Sequence, residues 1–565
     1  MRILLIASSY NSLTQRARAE LQDRGHAVSV EVTPDSAAVR DAVGRHAPEL
    51  VVAPMLKAVV PRDVWSKRLC LIVHPGPVGD RGPSSLDRAI QDGATEWGVT
   101  VLQADEEMDA GDVWASVAFR VPEVGKSDLY RNELSDAAMT ALHLAVERVA
   151  AGAAPRPQTG PVRARPFLRQ EQRRISWDED TETVLRTLRA ADSQPGVRDE
   201  LLGAEWFLHG GHAEDGLRGR PGELLATRAG AVCRATADGA VWIPEMRART
   251  GSGEERACKL PATLALGGRL PELPELPAPG HASEPGRTWS DIRYREHGAV
   301  GVLSFAFPGG AMSTDHCRRL LRAYETACRR PTCVLVLGGQ RDFFSNGIHL
   351  NVIEAAADPA AESWANINAM NDLVEAVLTT TDRLVVSAIG GNAAAGGVML
   401  ALAADEVWCR SGSVLNPHYR RMGLYGSEYW THTLPRKVGP ALAERLTQGA
   451  RPVSATAARS MGLVDRVVAC GPGEFSAEIT RSAARLASHP GVASRVAAKK
   501  AEHGTRESLT PLAAYREQEL CRMRAIFDDP SAPYHALRRA FVRKEGRAAG
   551  SPDARGADAA GPADR

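Results

Sequence analysis

Two polar side chains in the first fifth of the chain, His74 and Asp109, are of types that together can move protons. His74 follows the apolar run RLCLIV and precedes Pro-Gly, and Asp109 lies in the turn MDAGD after a second apolar run. An imidazole held by a carboxylate is a general acid and base for acyl transfer. A single His after a strand is more often structural. The catalytic interpretation therefore depends on the Gly/Pro-rich loop 76–83, whose N–H groups can face a ligand.

A second group of reactive side chains is predicted in the stretch 414–430, VLNPHYRRMGLYGSEYW. It brings His418, Tyr419, Tyr425 and Glu428 close together along the chain. GSEYWTHTLPRKVG predicts a helix that begins near Gly426, so that Glu428 lies in the first turn, where the helix dipole favours a carboxylate. The alternative is that Glu428 only begins a helix and that the tyrosines only pack.

Two glycine-rich stretches, 338–350 (GGQRDFFSNGIHL) and 389–407 (IGGNAAAGGVMLALAADEV), each lie between a predicted strand and a helix-like run. Either stretch can present a backbone N–H at a helix start to a carbonyl oxygen. The alternative is that their small residues only let a helix pack closely on a sheet.

The elements that must position these residues indicate a multidomain α/β protein. At 565 residues the chain is long enough for three to four domains. Residues 1–150 alternate strands and helices, which predicts a parallel sheet with a ligand site at the carboxyl ends of its strands. Short strands separated by Gly, Asp and Arg at about 170–262 predict a small β-barrel or sandwich. A second α/β unit begins near Trp289.

The predicted boundaries follow from composition. LPELPELPAPG is Pro-rich and indicates a semi-rigid, extended spacer, and the Ala/Gly/Asp/Arg-rich C-terminus indicates disorder. We therefore expect five segments: a first domain at 1–160, a barrel at 167–265, a Pro-rich linker at 266–287, a second α/β domain at 288–545 and a disordered tail at 546–565.

Composition excludes several classes of partner and site. The 69 basic and 68 acidic side chains leave a net charge of +1, which gives no electrostatic case for nucleic acid or a membrane surface. The nine scattered cysteines form no CxxC or Cys/His spacing, so no metal site is expected. No apolar run reaches the ~18 residues of a membrane helix, and we expect a cytoplasmic protein.

The first 250 residues resemble the folate-dependent formyltransferases, which include methionyl-tRNA formyltransferase. The shared pattern is H-P after a strand, then R-G-P, then G-V-T and a D-A-G-D turn, and RRISWDEDTETVLRTLRAAD resembles the C-terminal domain of that enzyme. The resemblance implies a Rossmann-like domain, an OB-like barrel, 10-formyltetrahydrofolate as substrate, and His74 and Asp109 as the catalytic pair. We expect folate contacts at Met55 and Leu56, from their place before the His74 strand, and at Ser84 and Ser85 in the loop after it.

One position departs from the formyltransferase pattern. The family has Asn two residues before the His, where it helps to hold the developing oxyanion, and this chain has Ile72. Losing such a donor costs about 10²–10³ in rate. Either another group compensates, or the acceptor is more nucleophilic than an amine, as a thiolate is.

Residues 290–470 resemble the crotonase (enoyl-CoA hydratase/isomerase) superfamily. Three signatures match in order: 344–350, the glycine turn around Ala395, and 454–468. The resemblance implies a ββα-spiral domain that binds coenzyme A and polarises a thioester through the N–H groups of Ile348 and Gly396. It places further coenzyme A contacts at Phe344, Asn346, Gly347 and His418. The two places of the hydratase glutamates hold Met399 and His418, so hydration is not expected.

The pairing of these two halves resembles the HypX (HoxX) family of hydrogenase maturation factors. The resemblance implies formyl transfer from 10-formyltetrahydrofolate to coenzyme A, then cleavage of formyl-CoA to carbon monoxide for the Ni-Fe hydrogenase site. It implies small-molecule substrates and allows hydrogenase precursors or maturation proteins as partners. Glu428 with Tyr419 or Tyr425 would supply the acid and base. Two alternatives stay open: an enzyme that forms or hydrolyses formyl-CoA without releasing CO, and a non-catalytic folate- and CoA-binding scaffold.

Overall fold

The structure is a computed structural model that describes residues 1–251, 253–278 and 287–544. The chain forms two compact units, one built mainly from residues 1–249 and the other mainly from residue 290 onward. Part of the predicted linker and all of the predicted tail lie outside the described residues.

The first domain contains a six-stranded sheet with helices, together with the short strand β5, which lies outside that sheet. Its strands are β1 Arg2–Ala7, β2 Ala27–Val32, β3 Leu50–Met55, β4 Cys70–His74, β5 Asp80–Arg81, β6 Glu96–Gln103 and β7 Val113–Arg120. Its helices are α1 Ser12–Asp23, α2 Ser36–His46, α3 Arg62–Trp65, α4 Ser85–Gln91, α5 Lys126–Leu129, the π-helix Tyr130–Leu134 and α6 Ser135–Ala150. The strand order is β2-β1-β3-β4-β6-β7.

The prediction of a parallel sheet is correct for four strands and wrong for the last two. β1 to β4 pair in parallel, whereas β6 is antiparallel to β4 and β7 is antiparallel to β6. The turn between β6 and β7 is too short for the crossover that a parallel pair requires. β3 and β4 nevertheless end side by side, because Ala53 pairs with Ile72 in a parallel register. Met55 and His74 therefore end adjacent strands at one edge.

The barrel region consists of two small sheets and one long helix. The strands of this region are β9 Val197–Leu201, β10 Ala204–His209, β11 His212–Glu214, β12 Leu224–Arg228, β13 Ala231–Ala235, β14 Ala240–Ile243, β15 Glu245–Ala248 and β16 Leu260–Pro261, and its helices are α7 Thr181–Ala191 and α8 Ala262–Leu266. The preceding strand, β8 Arg163–Ala164, lies in the connector and pairs with β5. β9, β10 and β15 lie side by side in one sheet, and β11-β14-β13-β12 form the other. Part of the predicted spacer extends along β12, since Thr227 exchanges backbone hydrogen bonds with Pro274 and Leu276.

The second unit carries a six-stranded sheet in the order β17-β18-β19-β20-β22-β25, parallel except for the first pair. Its strands are β17 Ile292–His297, β18 Val300–Phe305, β19 Val334–Gly338, β20 Leu384–Ile389, β21 Ala393–Ala394, β22 Glu406–Arg410, β23 Val414–Asn416, β24 Val453–Ser454 and β25 Arg466–Val468. Its helices are α9 Thr314–Cys328, α10 Leu350–Ala355, α11 Pro359–Thr379, α12 Gly396–Leu402, α13 Trp430–Val438, α14 Pro440–Gly449, α15 Ala455–Met461, α16 Phe475–Ala487, α17 Val492–Leu509, α18 Leu512–Asp528 and α19 Pro533–Arg543.

The two glycine-rich stretches of this unit press directly against each other. A Cβ atom at Gly390, Gly391 or Gly397 would lie under 3.0 Å from a backbone carbonyl oxygen of the segment 340–345. These three positions therefore require glycine because the two stretches approach each other closely. The close approach also places the turn at Gly347 beside the start of α12, because a Cβ at Gly347 would lie 3.3 Å from the backbone nitrogen of Gly396.

A similar close approach fixes the loop after His74. The connector residues Arg163 and Arg165 donate backbone hydrogen bonds of 2.7 and 3.1 Å to the loop carbonyls of Gly79 and Arg81. Gly82 has φ +99°, and a Cβ atom there would lie under 3.0 Å from the carbonyl oxygen of Arg165. Only glycine fits this position.

We expect Gly82→Ala to destabilise the first unit by about 2 kcal/mol or more, because the left-handed backbone and the clash with Arg165 act together. The control is Gly44→Ala in α2, where no atom lies within 4 Å of the added methyl and where alanine should stabilise the helix by about 0.5–1 kcal/mol. The urea midpoint of the full chain measures both. Equal midpoints for the two variants would contradict the close approach.

Candidate active sites

The imidazole of His74 lies between two carboxylates. His74 ends β4 and is 4% exposed. Its Nε2 lies 3.0 Å from Oδ2 of Asp80, and its Nδ1 lies 3.5 Å from Oδ2 of Asp109. A Cβ atom at Gly76 would clash with both His74 and Asp80, so the glycine leaves room for the contact. An imidazole flanked in this way can accept a proton and be stabilised as an imidazolium.

Sequence reasoning found Asp109 but missed Asp80. Asp80 lies six residues after His74, in the motif GDRGP, and its pairing in β5 with Arg163 of β8 turns it back toward the histidine. The short spacing between His74 and Asp80 within one loop was the sequence feature that could have indicated their contact. The backbone of Asp109 is left-handed, with φ +56°. Its Oδ2 accepts a 3.1 Å hydrogen bond from the backbone N–H of Gly82, which holds the carboxylate in place.

The predicted folate contacts lie on the same edge of the sheet or in the adjoining loop. Met55 ends β3, and Leu56 follows it. The hydroxyl of Ser84 accepts a 3.3 Å hydrogen bond from the N–H of Leu168, and that of Ser85 donates a 2.8 Å hydrogen bond to the carbonyl of Pro75. Both serine hydroxyls thus hold the loop, and a role for these four residues in folate binding stays a prediction.

In the second unit, the carboxyl group of Glu428 is buried and is hydrogen-bonded to Tyr419. Glu428 is 1% exposed. The Tyr419 hydroxyl donates a 2.6 Å hydrogen bond to Glu428 Oε2 and lies 2.9 Å from the carbonyl oxygen of Ser427. Burial raises the pKa of Glu428 to about 7, although the hydrogen bond from Tyr419 opposes the shift. Burial also raises the pKa of the Tyr419 phenol well above its usual value. Glu428 can therefore exchange a proton near neutral pH.

This carboxyl group lies directly over the start of α12. A Cβ atom at Gly396 would lie 2.5 Å from Glu428 Oε1. Since Gly347 also approaches the Gly396 nitrogen, the turn before Ile348, the start of α12 and the Glu428 carboxyl come together. The N–H groups of Ile348 and Gly396 are the groups predicted to polarise a carbonyl, and Glu428 is the predicted acid/base group. The polarising role of the two N–H groups stays a prediction.

The predicted helix start near Gly426 is wrong. α13 begins at Trp430, and Glu428 and Tyr429 precede it with φ values of +61° and +58°. Two successive residues in the left-handed region cannot continue a helix. Glu428 is therefore not stabilised as a first-turn carboxylate.

Two buried side chains that sequence reasoning missed hold this unusual backbone. Asn371 of α11 accepts a 3.1 Å hydrogen bond from the N–H of Glu428 and donates a 2.7 Å hydrogen bond to the Ser427 hydroxyl. Glu519 of α18 accepts a 2.9 Å hydrogen bond from the N–H of Tyr429 and one of 2.8 Å from that of Thr431. Both side chains come from ordinary helical stretches far away in the chain, and no local motif signals them.

Glu519 is thus a second buried carboxyl group close to that of Glu428. Glu519 is 0% exposed. Burial raises its pKa to about 7, while its hydrogen bonds to Thr431 and Tyr429 oppose the shift. Electrostatic repulsion from Glu519 adds to the effect of burial on the Glu428 pKa.

The structure separates the two candidate tyrosines. Tyr419 contacts Glu428, whereas the ring of Tyr425 packs against Trp430, with ring centres 5.4 Å apart, and against the guanidinium of Arg522 at 4.4 Å. Tyr419 packs closely against Gly426, since a Cβ atom there would clash with the phenol ring. Tyr419 is therefore the tyrosine that the fold brings to the carboxyl group.

The predicted coenzyme A residues have defined structural contacts. Phe344 is buried and packs edge-on against Phe305 at 5.3 Å, and the side-chain amide of Asn346 donates a 2.8 Å hydrogen bond to the carbonyl of Gly309. His418 is 8% exposed. Contact of these residues with coenzyme A stays a prediction. Met399 lies fully buried in the apolar core, so an apolar side chain occupies one hydratase glutamate position.

Three family models match consecutive parts of the chain. The formyl transferase family model matches residues 1–146, the formyl transferase C-terminal domain model matches 168–255, and the enoyl-CoA hydratase/isomerase model matches 296–532. These matches confirm the predicted formyltransferase-like half and the crotonase-like domain. No helix in the described part of the chain is both long and apolar enough to cross a bilayer.

Two relatives align over nearly the whole chain. The hydrogenase maturation factor HoxX of Bradyrhizobium diazoefficiens is 48% identical over 550 residues, which cover 96% of this chain and 95% of that protein. The crystal structure of HypX from Aquifex aeolicus in complex with tetrahydrofolic acid is 42% identical and superposes with a TM-score of 0.93, covering 96% of each chain. The chain therefore belongs to the HypX/HoxX family of hydrogenase maturation factors, in which a formyltransferase half is joined to a crotonase-type domain.

Proposed function

We propose that the protein makes carbon monoxide in two steps. A formyl group passes from 10-formyltetrahydrofolate to coenzyme A at His74, and formyl-CoA is then split into CO and coenzyme A at Glu428. The observation that carries this proposal is the buried Glu428–Tyr419 pair lying over Gly396. A carboxyl group with a pKa of about 7 lies beside the N–H group that the crotonase resemblance assigns to the thioester carbonyl. The CO would become a ligand of the Ni-Fe hydrogenase site, with hydrogenase precursors or maturation proteins as partners.

In the first step, the thiol of coenzyme A attacks the formyl carbon, and the bond from that carbon to N10 of the folate breaks. His74 would take the thiol proton and return it to the departing nitrogen. The carboxylates of Asp80 and Asp109 lie 3.0 and 3.5 Å from its two ring nitrogens and would stabilise the imidazolium between these transfers. A thiolate acceptor also fits Ile72, which provides no side-chain donor for the oxyanion, because a thiolate needs less assistance than an amine.

In the second step, formyl-CoA loses the proton on its formyl carbon, and its carbon–sulfur bond breaks. The C–H electron pair stays on carbon as CO forms, and the sulfur leaves with the C–S pair and takes up one proton. Formyl-CoA has no α-carbon, so the enolate chemistry of crotonases is impossible. Glu428 would accept the formyl proton, and Tyr419 would relay a proton toward the sulfur. The N–H groups of Ile348 and Gly396 would polarise the carbonyl.

Burial of the acid/base pair favours decarbonylation over the alternative that water hydrolyses formyl-CoA to formate. Glu428 is 1% and Tyr419 6% exposed. A site that excludes water protects a reactive thioester and strengthens the electrostatic contacts inside it. We also propose that the reaction takes place in the cytoplasm, in keeping with the nine cysteines, all of which are free thiols.

Variants at the two sites should block different steps. Glu428→Gln should lower CO release by about 10²–10⁴, the usual contribution of a general base, and should let formyl-CoA accumulate from 10-formyltetrahydrofolate and coenzyme A. His74→Ala should form no formyl-CoA but should still release CO from supplied formyl-CoA. Headspace CO and chromatography of the acyl-CoA pool measure both. Glu444→Gln, at an exposed carboxylate of α14, is the control, and undiminished CO release by Glu428→Gln would refute the assignment.

The two tyrosines should differ in effect. Tyr419→Phe removes the hydrogen bond to Glu428 and should slow CO release from formyl-CoA at least tenfold, because the proton relay is lost. Tyr425→Phe keeps the ring that packs against Trp430 and should leave the rate within about twofold. The decisive quantity is kcat with supplied formyl-CoA. The reverse order of effects would make Tyr425 the relay.

The rate of CO release from formyl-CoA should rise with pH. Glu428 acts as a base only when ionised, and its pKa is raised to about 7, so the ionised fraction and the rate increase about tenfold from pH 6 to pH 8. Tyr419 lowers this pKa by its hydrogen bond, and Tyr419→Phe should therefore move the rise to higher pH. A rate that falls across this range would show that the protonated carboxyl is the active form.

A further inference from the structure

The peptide group that joins Gly347 to Ile348 is held from its carbonyl side. Met312 donates a 2.9 Å backbone hydrogen bond to the carbonyl of Gly347, and Met312 and Ile348 form a parallel β-bridge. The carbonyl of Gly347 and the N–H of Ile348 belong to one planar unit. The hydrogen bond from Met312 therefore restricts the direction of the N–H that the crotonase resemblance assigns to a thioester carbonyl.

The side chain of Asn366, on α11, holds the peptide group that follows. Its Oδ1 accepts a 3.0 Å hydrogen bond from the N–H of His349, and its Nδ2 donates a 2.9 Å hydrogen bond to the carbonyl of Met312. One side-chain amide thus joins the two backbone segments on either side of the bridge. Because the acceptor and the donor of the amide are both used, its orientation is defined.

Asn366 makes these contacts in the interior of the second unit. Asn366 and Met312 are each 0% exposed, and so is Cys317, whose Sγ lies 3.9 Å from Nδ2 of Asn366. Replacing the amide by an apolar side chain would take these hydrogen bonds from two buried backbone groups, which is costly where water does not replace the lost partner. The turn would then be free to relax to another orientation.

The same helix also holds the backbone of the acid/base group. Asn371, five residues after Asn366 and likewise 0% exposed, accepts a 3.1 Å hydrogen bond from the N–H of Glu428 and donates one of 2.7 Å to the Ser427 hydroxyl. Five residues advance an α-helix by about 7.5 Å. Through two buried asparagines, α11 therefore contacts both the turn of Ile348 and the segment that presents the Glu428 carboxyl.

We propose that Asn366 is a positioning residue that keeps the N–H of Ile348 directed at the thioester carbonyl, while α11 sets the separation between this N–H and Glu428. This inference rests on the proposed function, which assigns these two groups to formyl-CoA. A donor stabilises an oxyanion only when it points to the place where the charge develops. Asn366 acts through the backbone and not through contact with the substrate.

Infrared spectroscopy of acetyl-CoA labelled with ¹³C at its carbonyl, bound to the full chain, tests this role. Acetyl-CoA has the thioester carbonyl but no hydrogen on the carbonyl carbon, so it stays intact at the site. We expect the carbonyl band of the bound thioester to lie at lower frequency than that of free acetyl-CoA, because the N–H groups polarise it. Asn366→Leu should remove about half of this shift or more.

The matched control is Asn368→Ala on the same helix. The side-chain amide of Asn368 donates a hydrogen bond to the carbonyl of Trp364 within α11, and its loss should leave the carbonyl shift unchanged. Asn366→Leu should also lower kcat for CO release from formyl-CoA about tenfold or more, since a small misplacement of a catalytic group costs up to about 10²-fold. Its affinity for acetyl-CoA should stay within about threefold, which separates loss of positioning from loss of the site.

Three results would overturn the proposal: no carbonyl shift in the wild-type chain, a full shift in folded Asn366→Leu, or an equal loss of shift in Asn368→Ala. The thermal midpoint shows whether each variant folds. If Asn366→Leu does not fold, Asn366→Ser takes its place with the same expected loss, because a serine hydroxyl is too short to join His349 to Met312. The infrared measurement does not use CO release. A chain that shifts the carbonyl through Asn366 but releases no CO would therefore contradict the proposed function and support the role of Asn366.

Discussion

The burial of one carboxyl group, that of Glu428, determines much of the architecture of the second unit. An ionisable group without solvent must be held by hydrogen bonds or remain neutral. Here one hydrogen bond comes from Tyr419, and the backbone that presents the carboxyl is fixed by Asn371 and Glu519 from two separate helices. Two consecutive residues stay in the left-handed region because these contacts compensate for the strain. The result is a carboxyl group whose pKa lies close to physiological pH.

The formyltransferase half presents a different group for the proposed task of moving a proton. His74 is flanked by Asp80 and Asp109 rather than held by one partner. The loop that carries Asp80 is in turn fixed by backbone pairing with the connector, and glycines occur where the connector passes too close for a side chain. One site thus depends on a flanked imidazole and the other on a desolvated carboxyl group, and each is suited to a separate proton transfer.

Much of the fold was predictable because its signals are local. The strand that ends in His74, the turn with Asp109 and the signature at 344–350 are contiguous motifs, and each is placed by the elements that the sequence predicts. Asp80 lies within the Gly/Pro-rich loop 76–83, yet its contact with His74 depends on pairing with Arg163, which no periodicity reveals. The antiparallel direction of β6 and β7 likewise follows from tertiary pairing rather than from strand pattern.

The remainder of the candidate site could not be read from one sequence because it is built from long-range contacts. Asn371 and Glu519 occupy ordinary helical positions in α11 and α18. Only the folded chain brings Asn371 to the N–H of Glu428 and Glu519 to the N–H of Tyr429. The break before α13 was missed for the same reason: GSEYW has the composition of a helix start, and buried hydrogen bonds override that preference. The choice between Tyr419 and Tyr425 also required the fold.

The most direct test of the two-step account is to supply the purified protein with 10-formyltetrahydrofolate labelled with ¹³C in the formyl group, and to trap the gas phase with reduced haem protein. The account predicts ¹³CO that appears only when coenzyme A is present. ¹³C-formate or a stable ¹³C-formyl-CoA without ¹³CO would contradict it.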